Sequence, residues 1–364
     1  SLQRFLKAKL NSASYLSTTT MAEDDFTQYG YDDALKARVE ELKTKLENPE
    51  IPSDDVTKFE KHGILGSGRF CRVFKVYCPS QETFYAMKEM PKKQIAKKNV
   101  ILRIKQERDI LVGTNNFPFV IKLICCCKDT DSLYFITELA AGGDLSRFTD
   151  DHSLDEQNIR FYVAQVLMAL EYLHGATIMH RDIKLQNILV CSDGYVKVTD
   201  YNLSRFLMIG LAFTICGTRG YMAPEIQDGK GYTFTVDWFA LGAVADEMTN
   251  RYLEKRSREL GATQEATLET QQFIKAMSEK DPKKRLGAKG ALEVRRHPFF
   301  STINWDTLYV KLVEAPIERP RAAPLKEDDG ADSNVREEGE EAAPGAAGAA
   351  AAAAAPPPDF DSFC

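Results

Sequence analysis

The feature that most constrains this 364-residue chain is an ordered set of polar signatures in its second half. It reads His180-Arg181-Asp182-Ile183-Lys184-Leu185-Gln186-Asn187, then Asp200-Tyr201-Asn202, then Ala223-Pro224-Glu225. Taken singly, each acid is an ordinary loop carboxylate. In this order and spacing they take complementary tasks. Asp182 can accept or orient the proton of an attacking hydroxyl, Asn187 and Asp200 offer hard oxygens to a Mg2+ ion bridging phosphates, and Lys184 can neutralise a moving γ-phosphoryl group.

Upstream segments supply the nucleotide end. The run Leu65-Gly66-Ser67-Gly68-Arg69-Phe70-Cys71-Arg72-Val73 lies where one predicted strand turns into the next, and its small residues let backbone N–H groups approach phosphates. A helix does not follow these glycines, which argues against a dinucleotide-binding fold. Lys88, in Tyr85-Ala86-Met87-Lys88, follows at the distance of an ATP-contacting lysine, and Glu107 on the next predicted helix is its natural ion-pair partner. A hairpin turn, a solvated strand lysine and a solvent-facing helix glutamate are what these residues mean in isolation; the second-half set decides otherwise.

Periodicity predicts a small β-rich part followed by a larger helical one. Residues 72–77 and 83–87 alternate apolar and polar side chains around a Pro79-Ser80 turn, residues 120–127 and 133–138 read as strands, and residues 100–111 and 158–174 have helical spacing. Tyr31, Ala34, Leu35, Val39, Leu42 and Leu46 recur at helical spacing before Pro49, predicting an amphipathic helix that packs loosely on a neighbour. After Pro320 an acidic stretch at 327–341, an Ala run and Pro356 to Pro358 read as a flexible tether ending in Phe360 and Phe363.

Composition excludes several classes. A net charge of −6 gives no global basic field for nucleic acid. The 8 cysteines lack zinc-ligand spacing and read as reduced thiols, implying an intracellular, cytoplasmic chain. No run of about 18 apolar residues predicts a membrane span. Residues 1–22 have the basic, Ser/Thr-rich composition of a transit peptide, but a chain starting at Ser1 reads better as lacking its upstream part.

From residue 59 to 300 the chain resembles the eukaryotic protein kinases. Within them it is similar to the AGC group, which includes the cyclic-nucleotide-dependent kinases, through Phe117-Pro118-Phe119-Val120, Ala141-Gly142-Gly143-Asp144-Leu145, Ile215-Cys216-Gly217-Thr218, Asn304-Trp305-Asp306 and the terminal Phe-x-x-Phe. The resemblance implies an α+β two-lobed kinase fold: an N-terminal extension at 1–58, an antiparallel small lobe at 59–139, a mostly helical large lobe at 140–300 and a tail at 301–364. It implies ATP and Mg2+ as cofactors, protein substrates, and an upstream activating kinase or a regulatory subunit or domain as partner.

It also assigns residues. Adenine is held by the backbones of Glu138 and Ala140, with Thr137 as gatekeeper and Ala86 in the ATP site. Leu111, Leu123, His180 and Tyr201 form an apolar spine, Asp237 anchors the catalytic loop, and Glu225 pairs with Arg285. Thr214 is the activating phosphosite, its phosphate pairing with Arg181. Asp144 and Glu247 draw basic residues upstream of the target serine. The Phe360-Asp361-Ser362-Phe363 end docks beside the helix bearing Glu107.

Several positions depart from the family pattern. Cys71 replaces a third loop glycine, Asp-Tyr-Asn replaces Asp-Phe-Gly with Asn202 expected to adopt the left-handed turn, and Leu185-Gln186 replaces Pro-Glu. The stretch 248–281 is short and lacks the Pro-Phe that opens a docking helix. The unusually apolar segment 206–213 reads as covering a core. The expected activity is phosphoryl transfer from Mg·ATP to protein Ser and Thr hydroxyls; the alternative is a pseudokinase that binds nucleotide or acts as a scaffold.

Overall fold

The computed structural model describes residues 30–68, 70–152, 154–317 and 360–364. Residues 1–22, Arg69 of the nucleotide set and the stretch 327–358 lie outside them. Among the described residues the chain forms two compact units: a smaller one from 52–105, 124–138 and 360–364, and a larger one from 30–51, 106–123 and 139–317.

The smaller unit is built on an antiparallel sheet of β1 (Glu60–Ser67), β2 (Arg72–Cys78), β3 (Thr83–Pro91), β4 (Leu123–Lys128) and β5 (Ser132–Glu138), in the order β1-β2-β3-β5-β4. Alternation sets its faces. Ile64, Phe74, Val76, Met87, Cys125, Cys127, Tyr134 and Ile136 pack into one apolar cluster. Register then places Lys88 opposite Val73 on one side and Phe135 on the other, with Ala86 opposite Thr137.

The helix predicted at 100–111 is α2 (Lys98–Thr114), whose earlier part belongs to the smaller unit. Beside it sits the chain terminus. Phe363 is fully buried with its ring 5.4 Å from Phe135, Lys105 of α2 donates to the Ser362 hydroxyl at 2.5 Å, and the Lys92 ammonium lies 5.4 Å from the Phe360 ring. Two aromatic rings and a hydroxyl thus seat the terminus as expected.

The larger unit is organised around α4 (Glu156–Gly175), started by a capping box in which Asp155 and Asn158 exchange side-chain and backbone bonds. Buried residues surround this helix on nearly all sides, so it is a core helix rather than a surface one. Other elements are α1 (Gly30–Glu47), α3 (Leu145–Asp151), β6 (Ile188–Val190), β7 (Val196–Val198), α5 (Thr235–Leu260) and α6 (Leu268–Met277). Buried Gln165 of α4 accepts from the Val196 amide at 2.8 Å and so ties β7 to the core.

The expectation of a loosely packed α1 is corrected. Leu35, Val39, Leu42 and Leu46 are all buried, Leu42 completely. A Cβ on Gly113 would stand 2.7 Å from Leu42 Cδ1, and one on Gly175 2.8 Å from Val39 Cγ2, so these glycines let α1 approach closely. Asp32 in its first turn pairs with buried Arg295 at 2.7 Å. The apolar stripe is a docking face because its partner surface has been hollowed to receive it.

The segment 206–213 is also corrected. Leu207 and Ala212 are buried, but Ile209, Leu211 and Phe213 are 73%, 48% and 62% exposed. Ala212 exchanges both backbone bonds with Tyr232 at 2.9 Å, and alternation about this bridge turns Leu211 and Phe213 outward.

Candidate active site

The loop between α4 and β6 carries the decisive residues, and buried Asp237 on α5 shapes it. Its Oδ2 accepts from the His180 amide at 2.9 Å, its Oδ1 from the Arg181 amide at 2.7 Å, and His174 Nε2 lies 2.8 Å from Oδ2. Burial pushes this carboxyl up, but the hydrogen bond from His174 and the Arg181 amide outweigh it and hold Asp237 below the usual carboxylate range. The anchor lets Arg181 sit in the left-handed region at φ 68°, a strained conformation for a side-chain-bearing residue.

Next along the loop, Asp182 is the centre of a hydrogen-bonded cluster. Its Oδ2 accepts from Lys184 Nζ at 2.8 Å and from Asn187 Nδ2 at 3.0 Å, and its Oδ1 from Thr218 Oγ1 at 2.7 Å. Lys184 Nζ also donates to Thr218 Oγ1 at 2.8 Å. Asn187 Nδ2 donates to the Asp182 carbonyl at 2.8 Å, which leaves its Oδ1 as an acceptor. Asp182 is thus oriented by two neutral donors and one cation.

Thr218 was not among the expected site residues. The signal was the run Cys216-Gly217-Thr218, whose glycine has φ 117° and where a Cβ would meet the Arg181 carbonyl at 3.0 Å. Only close backbone approach there brings the hydroxyl to Asp182 and Lys184.

The Asp-Tyr-Asn triplet departs from expectation in an informative way. The left-handed residue is Asp200, at φ 66°, and Asn202 is not in that region. Tyr201 is fully buried, packs edge-on to His180 at 5.2 Å and donates its hydroxyl to the Val198 carbonyl at 3.3 Å. Burial raises this phenol well above its ordinary pKa, with Tyr172 and Glu107 adding to the shift, so it is a neutral donor. Leu111 and Leu123, the other expected spine residues of this unit, are buried too. The Thr199 amide bonds the Asn187 carbonyl at 3.0 Å, setting Asp200 next to the loop that bears Asn187.

His180 is kept neutral. Burial lowers its pKa against the opposing charges of Asp237, Asp182 and Asp200. Its Nε2 lies 3.1 Å from the Thr199 carbonyl and its Nδ1 accepts from the Asp182 amide at 3.3 Å, the pattern of an Nε2–H imidazole.

In the smaller unit, Leu65, Gly66 and Ser67 end β1, Arg72 and Val73 open β2, and Phe70 and Cys71 lie between. The Gly68 amide closes this turn on the Cys71 carbonyl at 2.8 Å, and a Cβ on Gly68 would meet Cys71 Sγ at 3.0 Å. A Cβ on Gly66 would meet nothing within 4 Å, so that backbone faces open space. Glu138 ends β5, and Ala140 and Glu107 belong to the larger unit.

Residues 59–300 match the protein kinase domain family. The chain belongs to the protein kinase family. It is 34% identical over 290 residues to ribosomal protein S6 kinase alpha-6 of Danio rerio, covering 74% of this chain and 39% of that protein. It is 36% identical over 284 residues to ribosomal protein S6 kinase alpha-2 of Homo sapiens, covering 72% and 38% respectively. This kinase chain therefore spans less than two fifths of the length of these curated relatives, which are AGC-group kinases as its own motifs indicate.

Other features of the kinase domain are structural. Glu225 and Arg285 form the expected pair, a buried bidentate ion pair at 2.6 and 2.8 Å, with Arg285 also donating to the Thr235 and Glu279 carbonyls. Thr214 is exposed, and its carbonyl accepts from the Tyr232 hydroxyl at 2.6 Å while Arg181 Nη1 donates to the same hydroxyl at 2.9 Å.

The two acids expected to draw basic peptides are engaged otherwise. Asp144 caps α3 by accepting from the Arg147 amide at 3.1 Å. Glu247 is no open acid: one oxygen accepts from the Tyr221 hydroxyl and the other from Arg251 Nη2 at 2.6 Å. No docking helix opens between α5 and α6 among the described residues; α5 runs on to Leu260 instead.

Proposed function

We propose that this chain is a serine/threonine protein kinase that transfers the γ-phosphoryl group of Mg·ATP to hydroxyls of protein substrates. The observation that carries this reading is the cluster in which Asp182 is held by Lys184, Asn187 and Thr218. Held so, Asp182 can receive the proton as a Ser or Thr oxygen attacks phosphorus. Lys184 lies where it can meet charge moving onto the transferred group, and the Thr218 hydroxyl fixes both side chains.

Among the described residues there is no cluster of three or more His, Cys, Asp or Glu able to hold a metal alone. The donors fit a shared site instead: Asn187 Oδ1 and the Asp200 carboxylate supply hard oxygens, and phosphates complete the shell. When bound, Mg2+ offsets phosphate charge. Lys88, Glu107, the 65–73 turn with Ala86, and the Glu138 and Ala140 backbones are the nucleotide-holding set in this reading. Thr214 is its modification site, addressed by an upstream kinase, and the cytoplasm its compartment; no helix among the described residues is long and apolar enough to cross a membrane.

Basic sequence contexts are a weak preference here, since Asp144 caps α3 and Glu247 is held by Tyr221 and Arg251. Two departures motivated the pseudokinase alternative. One of them, the altered triplet, is accommodated by the Tyr201 hydroxyl bond and by the left-handed turn at Asp200.

The test is transfer of radiolabelled phosphate from ATP to a mixed Ser/Thr peptide library. Asp182→Asn, Lys88→Met and Asp200→Ala should each cost more than about tenfold in kcat/KM. Full activity of Asp182→Asn would remove the assigned base.

A further inference from the structure

The acceptor side of the site holds an arginine whose position decides what a peptide meets there. Tyr221 shares a small cavity with Asp182 and Thr218, and its hydroxyl donates to Glu247. Glu247 is therefore linked through Tyr221 to the cavity that Asp182 and Thr218 line, and its carboxylate is partly exposed. An open carboxylate there would recruit an arginine from an incoming peptide through a charge-assisted hydrogen bond.

Arg251 occupies that carboxylate from within the chain. It lies one turn beyond Glu247 on α5, in the part of the helix that extends into the stretch lacking the Pro-Phe of a docking helix. Besides Glu247 at 2.6 Å, its guanidinium donates to the Ser146 carbonyl at 2.8 Å, the Ser146 hydroxyl at 3.1 Å, the Thr149 hydroxyl at 2.9 Å and the Asp150 carboxylate at 2.7 Å. One turn further, Lys255 donates to the Thr149, Asp150 and His152 carbonyls at 2.6, 2.7 and 3.1 Å, which fastens α5 to the C-terminal end of α3.

A peptide arginine could take Glu247 only by displacing Arg251. That would leave Asp150 and three further acceptors, the Ser146 carbonyl and hydroxyl and the Thr149 hydroxyl, without their donor. The internal arginine also pays little to meet Glu247, because residues four apart on a helix are already neighbours. The network therefore neutralises the acid with a guanidinium held in place by α3.

We propose that Arg251 is a specificity-determining residue: it fills the Glu247 subsite, so the enzyme phosphorylates Ser/Thr peptides without selecting arginine there. This rests on the serine/threonine kinase reading above. The substrate class is thus hydroxyl-bearing peptides of uncharged or mixed upstream sequence, rather than strongly basic ones.

The experiment is a peptide array with a fixed Ser acceptor and Arg or Ala at each upstream position, phosphorylated by the full chain and by Arg251→Ala, Arg251→Lys and the double variant Glu247→Gln/Arg251→Ala. For the wild-type chain, Arg over Ala should stay within about threefold at every position, the worth of an exposed ion pair. Arg251→Ala should raise one upstream position to about tenfold or more through KM, the worth of a hydrogen bond to a charged group, with kcat retained. Arg251→Lys should stay flat, and Glu247→Gln should erase the gained preference. A wild-type chain that already favours arginine more than tenfold overturns the role of Arg251 whether or not the variants fold. So does a folded Arg251→Ala with a flat profile. No transfer to any peptide by the wild-type chain is a different result and sinks the kinase reading itself.

Discussion

At the scale of single residues, the site works by giving each charge a partner that leaves its chemistry intact. Asp182 is oriented by three donors of which only Lys184 is a cation, while Asp237 is engaged by two backbone amides and a histidine. The Glu225–Arg285 pair is the opposite case, a fully desolvated ion pair with no access to water. Removing one partner strands the other. Glu225→Gln should cost about 3 kcal/mol of stability, because the guanidinium is left buried and uncompensated. A thermal melt and a denaturant titration of the variant check this, and a loss below about 1 kcal/mol would mean that water or another acceptor reaches Arg285.

At the scale of elements, the chain terminus and α2 act together. Phe363 inserts beside Phe135, and Ser362 receives a bond from Lys105, two residues before Glu107 on the same helix. Burying one phenylalanine is worth about 2 kcal/mol. Phe363→Ala, or truncation after residue 358, should therefore lower Tm by several degrees. It should also lower kcat, since a loosened α2 no longer holds Glu107 in place. Unchanged Tm and kcat in both variants would make the terminus a passive end. Helix α5 likewise works with a neighbour, because its last turns carry Arg251 and Lys255 into bonds with α3.

At the scale of the whole molecule, buried titratable groups make stability depend on pH. Burial depresses the pKa of His180, so the folded chain resists a proton that the unfolded chain accepts below about pH 6.5. His297 is lowered for the same reason and adds to the slope. The contribution is complete above about pH 6.5 and is lost as pH falls from there towards the folded values. Asp237, whose carboxyl is held low, adds a second loss in more acidic solution as the pH passes its folded value. Tm measured from pH 7.5 down to pH 5 should therefore fall, and His180→Tyr should reduce the slope without removing it. A flat profile in the wild-type chain would contradict the neutral, buried assignment of His180.

The sequence by itself determined the family, because this depends on residue type and order: Asp182, Lys184, Asn187 and Asp200 lie in the expected motifs, and Glu225 met Arg285 as the resemblance implied. It also determined strand order in part, since period-two patterns and short turns leave few ways to pair β1, β2 and β3. Local pattern could not say how tightly a surface stripe is received. The closeness of α1 depends on Gly113 and Gly175, which are far from it in sequence, and no periodicity within α1 reports them. The left-handed turn at Asp200, the entry of Thr218 into the site and the exposure of Ile209, Leu211 and Phe213 were likewise set by what surrounds those residues. Glu247 makes the case most plainly: its residue type and place suggested an acid open to substrate, and the Glu247–Arg251 spacing of four was visible in the sequence. Only the tertiary structure showed Arg251 fixed by α3 as well, and a guanidinium held by several acceptors at once stays where it is.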